Sequence, residues 1–222
     1  MRLRTARLEL RLGTRDDIAE LGRVADRGVH APDEMPFRVP WTDRSGRELV
    51  DSAVEYHLRT REEWRPERWS LVLCVFLDGN PVGCQDVRGV EFAFRREFET
   101  GSWLGREYQG CGYGTEMREA VLELGFGGLA AATAISGAFD FNTASLRVSE
   151  KLGYELIGET IYAPRGEPQR ELVFRLTRAE WERRRHPAVE IEGLEPCLAL
   201  FGLQRDAAPA QGGEADPAAL GG

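Results

Sequence analysis

Gly110, Gly112 and Gly114 fall within Glu99-Thr-Gly-Ser-Trp-Leu-Gly-Arg-Glu-Tyr-Gln-Gly-Cys-Gly-Tyr-Gly-Thr115, which reads as a short strand running into a lysine-free glycine loop that opens an amphipathic helix. Glycines there permit positive φ and close approach, so successive backbone amides can turn toward one diphosphate at the positive end of the helix. Two commoner glycine loops fail on residue identity. A P-loop needs a lysine after its second glycine, and Lys151 is the only lysine of the chain. The dinucleotide fingerprint Gly-x-Gly-x-x-Gly would need glycine where Thr115 or Met117 stands.

A second segment follows about thirty residues on, after a helix and a strand expected at Ala131 to Ala138: Asn142-Thr-Ala-Ser-Leu-Arg-Val-Ser-Glu-Lys-Leu-Gly-Tyr154. Asn142, Ser145 and Ser149 are spaced to share one helical face. Leu146, Val148 and Leu152 supply a core-facing side, and Gly153 stands where a helix C-terminus favours a left-handed residue.

Together the two segments resemble the GNAT family of acyl-CoA N-acyltransferases. The family's loop pattern, Arg/Gln-x-x-Gly-x-Gly/Ala, is matched by Gln109, Gly112 and Gly114; its Asn-x-x-Ser and Glu-Lys-Leu-Gly-Tyr/Phe pattern by Asn142, Ser145 and Glu150 to Tyr154. Glu99-Thr-Gly-Ser-Trp-Leu is most similar to the bacterial branch that includes the ribosomal-protein N-terminal acetyltransferases RimJ and RimL, a branch that also holds enzymes for small amines and antibiotics.

The resemblance implies an α+β GNAT fold, a mixed, mostly antiparallel sheet flanked by helices, whose central pair splays apart to admit the pantetheine arm of acetyl-CoA. It implies that backbone at Trp103 and Leu104 holds the acyl-thioester, that Gln109, Gly110, Cys111, Gly112, Tyr113, Gly114 and Thr115 hold the diphosphate, and that Asn142 bonds the pantetheine with Ser145 supporting it. Ser149 stands where many members carry a tyrosine that protonates the leaving thiolate, and is the general-acid candidate. The glutamate some relatives carry five residues before the asparagine is Gly137 here, so Glu99 is the first candidate for the base, with Asp86, Glu91 or a water chain behind it. The family also implies that the segment Val29 to Thr42, interrupted by Pro32, Pro36 and Pro40, walls the acceptor cleft, with Met35, Phe37 and Trp41 as substrate contacts.

The chain has 222 residues, 42% of them hydrophobic, enough for one core. A net charge of -8 argues against nucleic acid as partner. Cys74, Cys84, Cys111 and Cys197 form no CxxC pair and have no histidine at metal-site spacing, so all four read as reduced and no metal is expected. With neither a signal peptide nor an apolar run of membrane length, no membrane is expected as partner and the chain reads as cytoplasmic.

Further elements are expected as a strand Leu8 to Leu12, a helix from Thr14, a helix Arg47 to Trp64, strands Ser70 to Leu77, Pro81 to Val87, Glu97 to Leu104, Glu155 to Tyr162 and Arg170 to Leu176, and a charged helix Thr177 to Arg185. Residues 1–186 then form the acyltransferase domain, 187–204 an extension packing on it, and 205–222 a disordered tail rich in Ala, Gly, Pro and Asp. The function expected is acetyl transfer from acetyl-CoA to a primary amine of a small molecule. Alternatives are a protein N-terminus as acceptor, a non-catalytic acyl-CoA-binding module, and a larger acyl group such as succinyl paired by Arg88, Arg95 or Arg96. Family habit makes a homodimer an open expectation.

Overall fold

The structure is a computed structural model that describes residues 1–184 and 186–203; the expected tail, 205–222, lies outside the described residues. One sheet runs through it in the order β7-β8-β6-β5-β4-β3-β2-β1-β9. Its strands are β1 (Arg2–Arg4), β2 (Leu8–Arg11), β3 (Arg68–Leu77), β4 (Asn80–Val90), β5 (Glu97–Leu104), β6 (Thr133–Phe139), β7 (Glu155–Tyr162), β8 (Gln169–Thr177) and β9 (Glu190–Glu192). Neighbours are antiparallel except β5 and β6, which are parallel and pair only from Glu97↔Thr133 to Thr100↔Ser136. Beyond that point β5 stays on β4, from Gly101↔Asp86 to Leu104↔Gly83, while β6 stays on β8, from Gly137↔Val173 to Phe139↔Glu171. The sheet therefore forks after Thr100 and Ser136, the splayed pair the resemblance implies.

Alternation along β3 fixes the two layers. Leu71, Leu73 and Val75 face a core shared with Met117, Ala120 and Val121 of α4 (Tyr113–Leu122) and Leu152 of α5 (Thr143–Leu152). Val72, Cys74 and Phe76 face the other way, against Ile18 and Leu21 of α1 (Arg15–Asp26) and Val54 of α2 (Gly46–Glu62). α1 starts on a capping box, Asp17 amide to Thr14 hydroxyl at 3.2 Å and Thr14 amide to Asp17 carboxylate at 2.8 Å. β3 and β4 are joined by a tight Asp-Gly turn, with Asp78 and Gly79 both at positive φ.

Several short elements escape the sequence reading, among them β1, α3 (Phe92–Arg95) and β9. β1 is a three-residue Arg-Leu-Arg whose only core side chain is Leu3. α3 is a single turn between left-handed Glu91 and Arg96. β9 pairs with the outer edge of β1, Ile191 opposite Leu3. A 3₁₀ segment, Glu195–Phe201, follows β9, and its Phe201 is buried edge-on against Trp69 at 4.9 Å and Trp64 at 5.3 Å. Trp64 donates its indole N–H to the Leu200 carbonyl at 2.7 Å. Trp64→Phe keeps an aromatic ring and removes that donor, so we expect a loss of about 1 kcal/mol in urea unfolding with an unchanged m-value. The four cysteines are free.

Candidate active site

The glycine loop is held from three sides. Gly110 and Gly112 adopt φ +76° and +84°, and Gly112 immediately precedes α4, so the loop turns its amides at the helix start. Gly114 does not share that conformation; it lies in the first turn of α4, where a Cβ would make only an ordinary 3.7 Å contact with Val148. Positive φ is thus required at two of the three glycines. The Gln109 side-chain amide donates to the carbonyls of Leu104 at 2.9 Å and Val29 at 2.7 Å, tying the loop to the end of β5 and to the proline-rich segment. Cys111 is exposed, and its carbonyl accepts from Arg7 at 3.1 Å.

Arg7 was not singled out from the sequence, because the Thr5-Ala6-Arg7 turn matches no pattern. Its guanidinium lies 4.5 Å over the Tyr113 ring and pairs with Glu116 in the first turn of α4 at 2.5 Å. Burial would raise the Glu116 pKa, but hydrogen bonds from the Thr5 hydroxyl and from Arg7 outweigh it and the net shift is downward. Glu116, in the first helical turn after the loop amides, is therefore already paired.

Among the apolar side chains on the α4–α5 face of the fork lie several buried polar groups. Asn142 caps α5, its side-chain oxygen accepting from the Ser145 amide at 3.2 Å. Ser145, Leu146 and Val148 are half-buried, whereas Ser149 is fully buried and its hydroxyl has no hydrogen-bond partner among the described residues. Ser149, rather than Leu146, thus takes the innermost place on that helix. Arg118 of α4, 3% exposed, lies across the fork, donating to Ser136 of β6 at 2.8 Å and to Ser102 of β5 at 3.2 Å. The buried Tyr154 phenol lies beside it; burial pushes that phenol above its ordinary pKa, and Arg118 and Thr100 pull it partway back.

The opposite face carries aromatics and charge. Phe37, Trp41 and Trp103 form a row with ring centroids 5.1 and 5.4 Å apart. Met35 is fully buried, its sulfur meeting the Thr42 hydroxyl at 3.9 Å. Arg38 from the same loop is forked onto Glu171 of β8, with both bonds at 2.8 Å, and reaches Glu99 of β5 at 2.9 Å. Arg88 pairs with Asp86 at 2.5 Å. Burial alone would lower the Arg38 pKa, but Glu171 and Glu99 reverse the effect. Asp86 holds Arg88 above its ordinary value, with Glu99 adding to the pull. A Cβ at Gly101 would collide with the Asp86 carboxylate, and one at Gly137 would sit 2.8 Å from Glu171 and 2.9 Å from Arg38. Gly137 thus leaves its space to Glu171, a carboxylate arriving from the adjacent strand. Glu91 lies in an exposed turn beyond the far end of β4, away from the fork.

Residues 7–155 match the acetyltransferase (GNAT) domain, two thirds of the chain. The chain is a GNAT-family acetyltransferase. Among solved structures, Mycobacterium smegmatis RimJ in complex with a CoA disulfide superposes with a TM-score of 0.65 at 21% identity, over 90% of this chain and 92% of that one. The ribosomal alpha-N-protein acetyltransferase RimL in complex with coenzyme A gives 0.65 at 15% identity, over 78% and 95%. A spermidine N-acetyltransferase chimera of Vibrio cholerae SpeG and hSSAT gives 0.63 at 16% identity, over 81% and 100%. At these identities the likeness is one of fold.

In this GNAT acetyltransferase the fork separates two environments. The α4–α5 face offers backbone amides and hydroxyls suited to a diphosphate and a sulfur. The α1–α2 face brings three carboxylates, Asp86, Glu99 and Glu171, together with two guanidiniums, Arg38 and Arg88. That leaves one negative charge over. Among the described residues no group of three or more His, Cys, Asp or Glu could hold a metal ion, and no helix is long and apolar enough to cross a membrane.

Proposed function

We propose that this acetyltransferase moves the acetyl group of acetyl-CoA to a primary amine of a small cationic molecule. The observation that carries this reading is the excess carboxylate on the acceptor side of the fork, beneath the Phe37–Trp41–Trp103 row: a cation balances it, and the aromatic faces suit an aliphatic ammonium chain. The proline-rich loop is pinned at two places, Arg38 to Glu99 and Glu171, and Asp43 to Arg165 at 2.5 Å. Arg165 also donates to the Pro32 carbonyl at 3.1 Å, so the loop is held near its start, at its middle and just past its end, which favours a compact pocket over an open groove for a peptide.

In this reading residues 1–186 are the catalytic domain and 187–204 an extension docked on it. The amides of Gly110 to Thr115 hold the diphosphate, and Asn142 and Ser145 hold the pantetheine arm. The thioester lies against Trp103 and Leu104 where β5 leaves β6. Glu99, bonded to Arg38 through one oxygen, offers the other to the proton of the attacking amine, and Ser149 faces the sulfur.

The test is a panel of acceptors with acetyl-CoA, following thiol release: aliphatic diamines, amino sugars, neutral amines and peptides with free N-termini. A diamine should exceed its singly charged counterpart at least roughly tenfold in kcat/KM, about 1.4 kcal/mol for one added charge contact. Peptides turning over best would move the assignment to a protein N-terminus. No turnover with any amine would favour a non-catalytic acyl-CoA-binding module.

A further inference from the structure

Arg118 is a buried cation without an anion. Among the described residues no carboxylate lies within 4.0 Å of its guanidinium, and its two bonds go to the neutral hydroxyls of Ser136 and Ser102. Desolvating a guanidinium is costly unless an opposite charge is nearby, and breaking such pairs elsewhere in folded proteins is strongly destabilising. Ser102 lies just past the point where β5 leaves β6, and Ser136 is the last residue of β6 paired with it, so the cation spans the crotch of the fork. Three donors on the α4–α5 side of the sheet are also buried, with no hydrogen-bond partner among the described residues: Arg118 Nε, the Ser149 hydroxyl and the Tyr154 phenol. Tyr154 is beside Arg118, and Ser149, in the last turns of α5, accepts at its backbone carbonyl from the Tyr154 amide at 3.0 Å. Buried donors in native structures are normally paired, so donors gathered round an unpaired cation mark a place where negative charge arrives.

The proposed reaction generates negative charge at that end of the fork when the thioester breaks. A serine hydroxyl is a weak acid, so protonation by Ser149 alone leaves the charge of the leaving group unmet. We infer that the buried guanidinium of Arg118 is the anion site for the departing coenzyme A thiolate, with the Ser149 and Tyr154 hydroxyls donating to the same sulfur. The inference rests on the acetyl-CoA reading above. The amine nitrogen bonds to the acyl carbon and loses a proton to Glu99 or water. The C–S bond breaks with its electron pair on sulfur, and the product leaves the carbon as thiolate, taking a proton from solvent only on release.

The test reads the thiol of bound coenzyme A rather than turnover. Full-length protein in excess over coenzyme A is titrated with pH while thiolate absorbance is followed, with desulfo-coenzyme A as the reference for the protein's own cysteines. Calorimetry establishes binding separately. In the wild type the bound thiol should titrate at least one unit below the ordinary thiol value of about 8.5. Arg118→Met should return it to that value or above, Arg118→Lys should keep part of the shift, and kcat should fall at least roughly tenfold in Arg118→Met with KM for acetyl-CoA changed less than about threefold. A bound thiol titrating at the ordinary value in the wild type overturns the inference without any variant, leaving Arg118 as a brace between the strands. A shift that persists in folded Arg118→Met overturns it equally. No binding of coenzyme A to the folded wild type removes the acetyl-CoA reading itself, a failure distinct from either.

Discussion

Gly112→Val should weaken acetyl-CoA binding at least roughly 100-fold, about 2.8 kcal/mol, while leaving the protein folded. Gly112 sits at φ +84° and ends the loop at the start of α4. A β-branched residue avoids that region. The backbone would have to turn, and the amides of Cys111 to Thr115 would turn with it. A Cβ would also come into contact with the Arg7 guanidinium, 3.4 Å away. The loop is exposed, so the strain can be released locally and the core need not move. Calorimetric titration measures the loss, and circular dichroism checks the fold. Gly112→Ala, smaller and unbranched, should lie between. Gly114→Ala, at a position with helical backbone and room for a methyl, should bind like the wild type. Equal affinity for wild type and Gly112→Val would remove the loop from the binding site.

The second large effect concerns Arg38. It reaches from the proline-rich loop to Glu99 and Glu171 of the sheet, and its partner Glu171 is 4% exposed. Arg38→Met should cost about 3 kcal/mol in denaturant unfolding, because a buried carboxylate is left without its cation; the value is set low in the usual range because the arginine itself is a third exposed. Glu171→Leu alone should cost less, since Arg38 still reaches Glu99 and solvent. The double variant should lose less than the sum by about 2 kcal/mol. Additive losses would mean that the pair contributes no coupling and that the loop is held by its aromatics. Kinetically, Arg38→Met should raise KM for the amine more than KM for acetyl-CoA, since only the acceptor side of the fork is disturbed.

Local signals in the sequence reached some parts of this site and not others. The two glycines at positive φ, the Asn142 cap, the Gly153 stop and the β5 strand are all local features, where one residue's conformational preference decides the outcome. The fork followed from the family those features resemble. Arg118 did not, because a Glu-Met-Arg-Glu sequence reads as a solvent-facing turn. Only its spacing, three and four residues before Val121 and Leu122, placed it beside the buried stripe. Glu171 could not be found from the sequence either. Its role depends on β8 lying between β6 and β7 in a register that puts it opposite Phe139 and beside the space at Gly137, a non-local fact that no window of residues contains. Arg38 and Arg7 share that difficulty: each is a loop arginine whose partners are 133 and 109 positions away.

The measurement that bears most directly on acyl transfer through the fork is a crystal structure of the full chain with coenzyme A. The diphosphate should rest on the amides of Gly110 to Thr115 and the pantetheine arm between Gly101–Leu104 of β5 and Gly137–Phe139 of β6, with the sulfur at the crotch near Ser102, Ser136 and Arg118. Coenzyme A bound on the outer face of the helices, with β5 and β6 empty between, would contradict it.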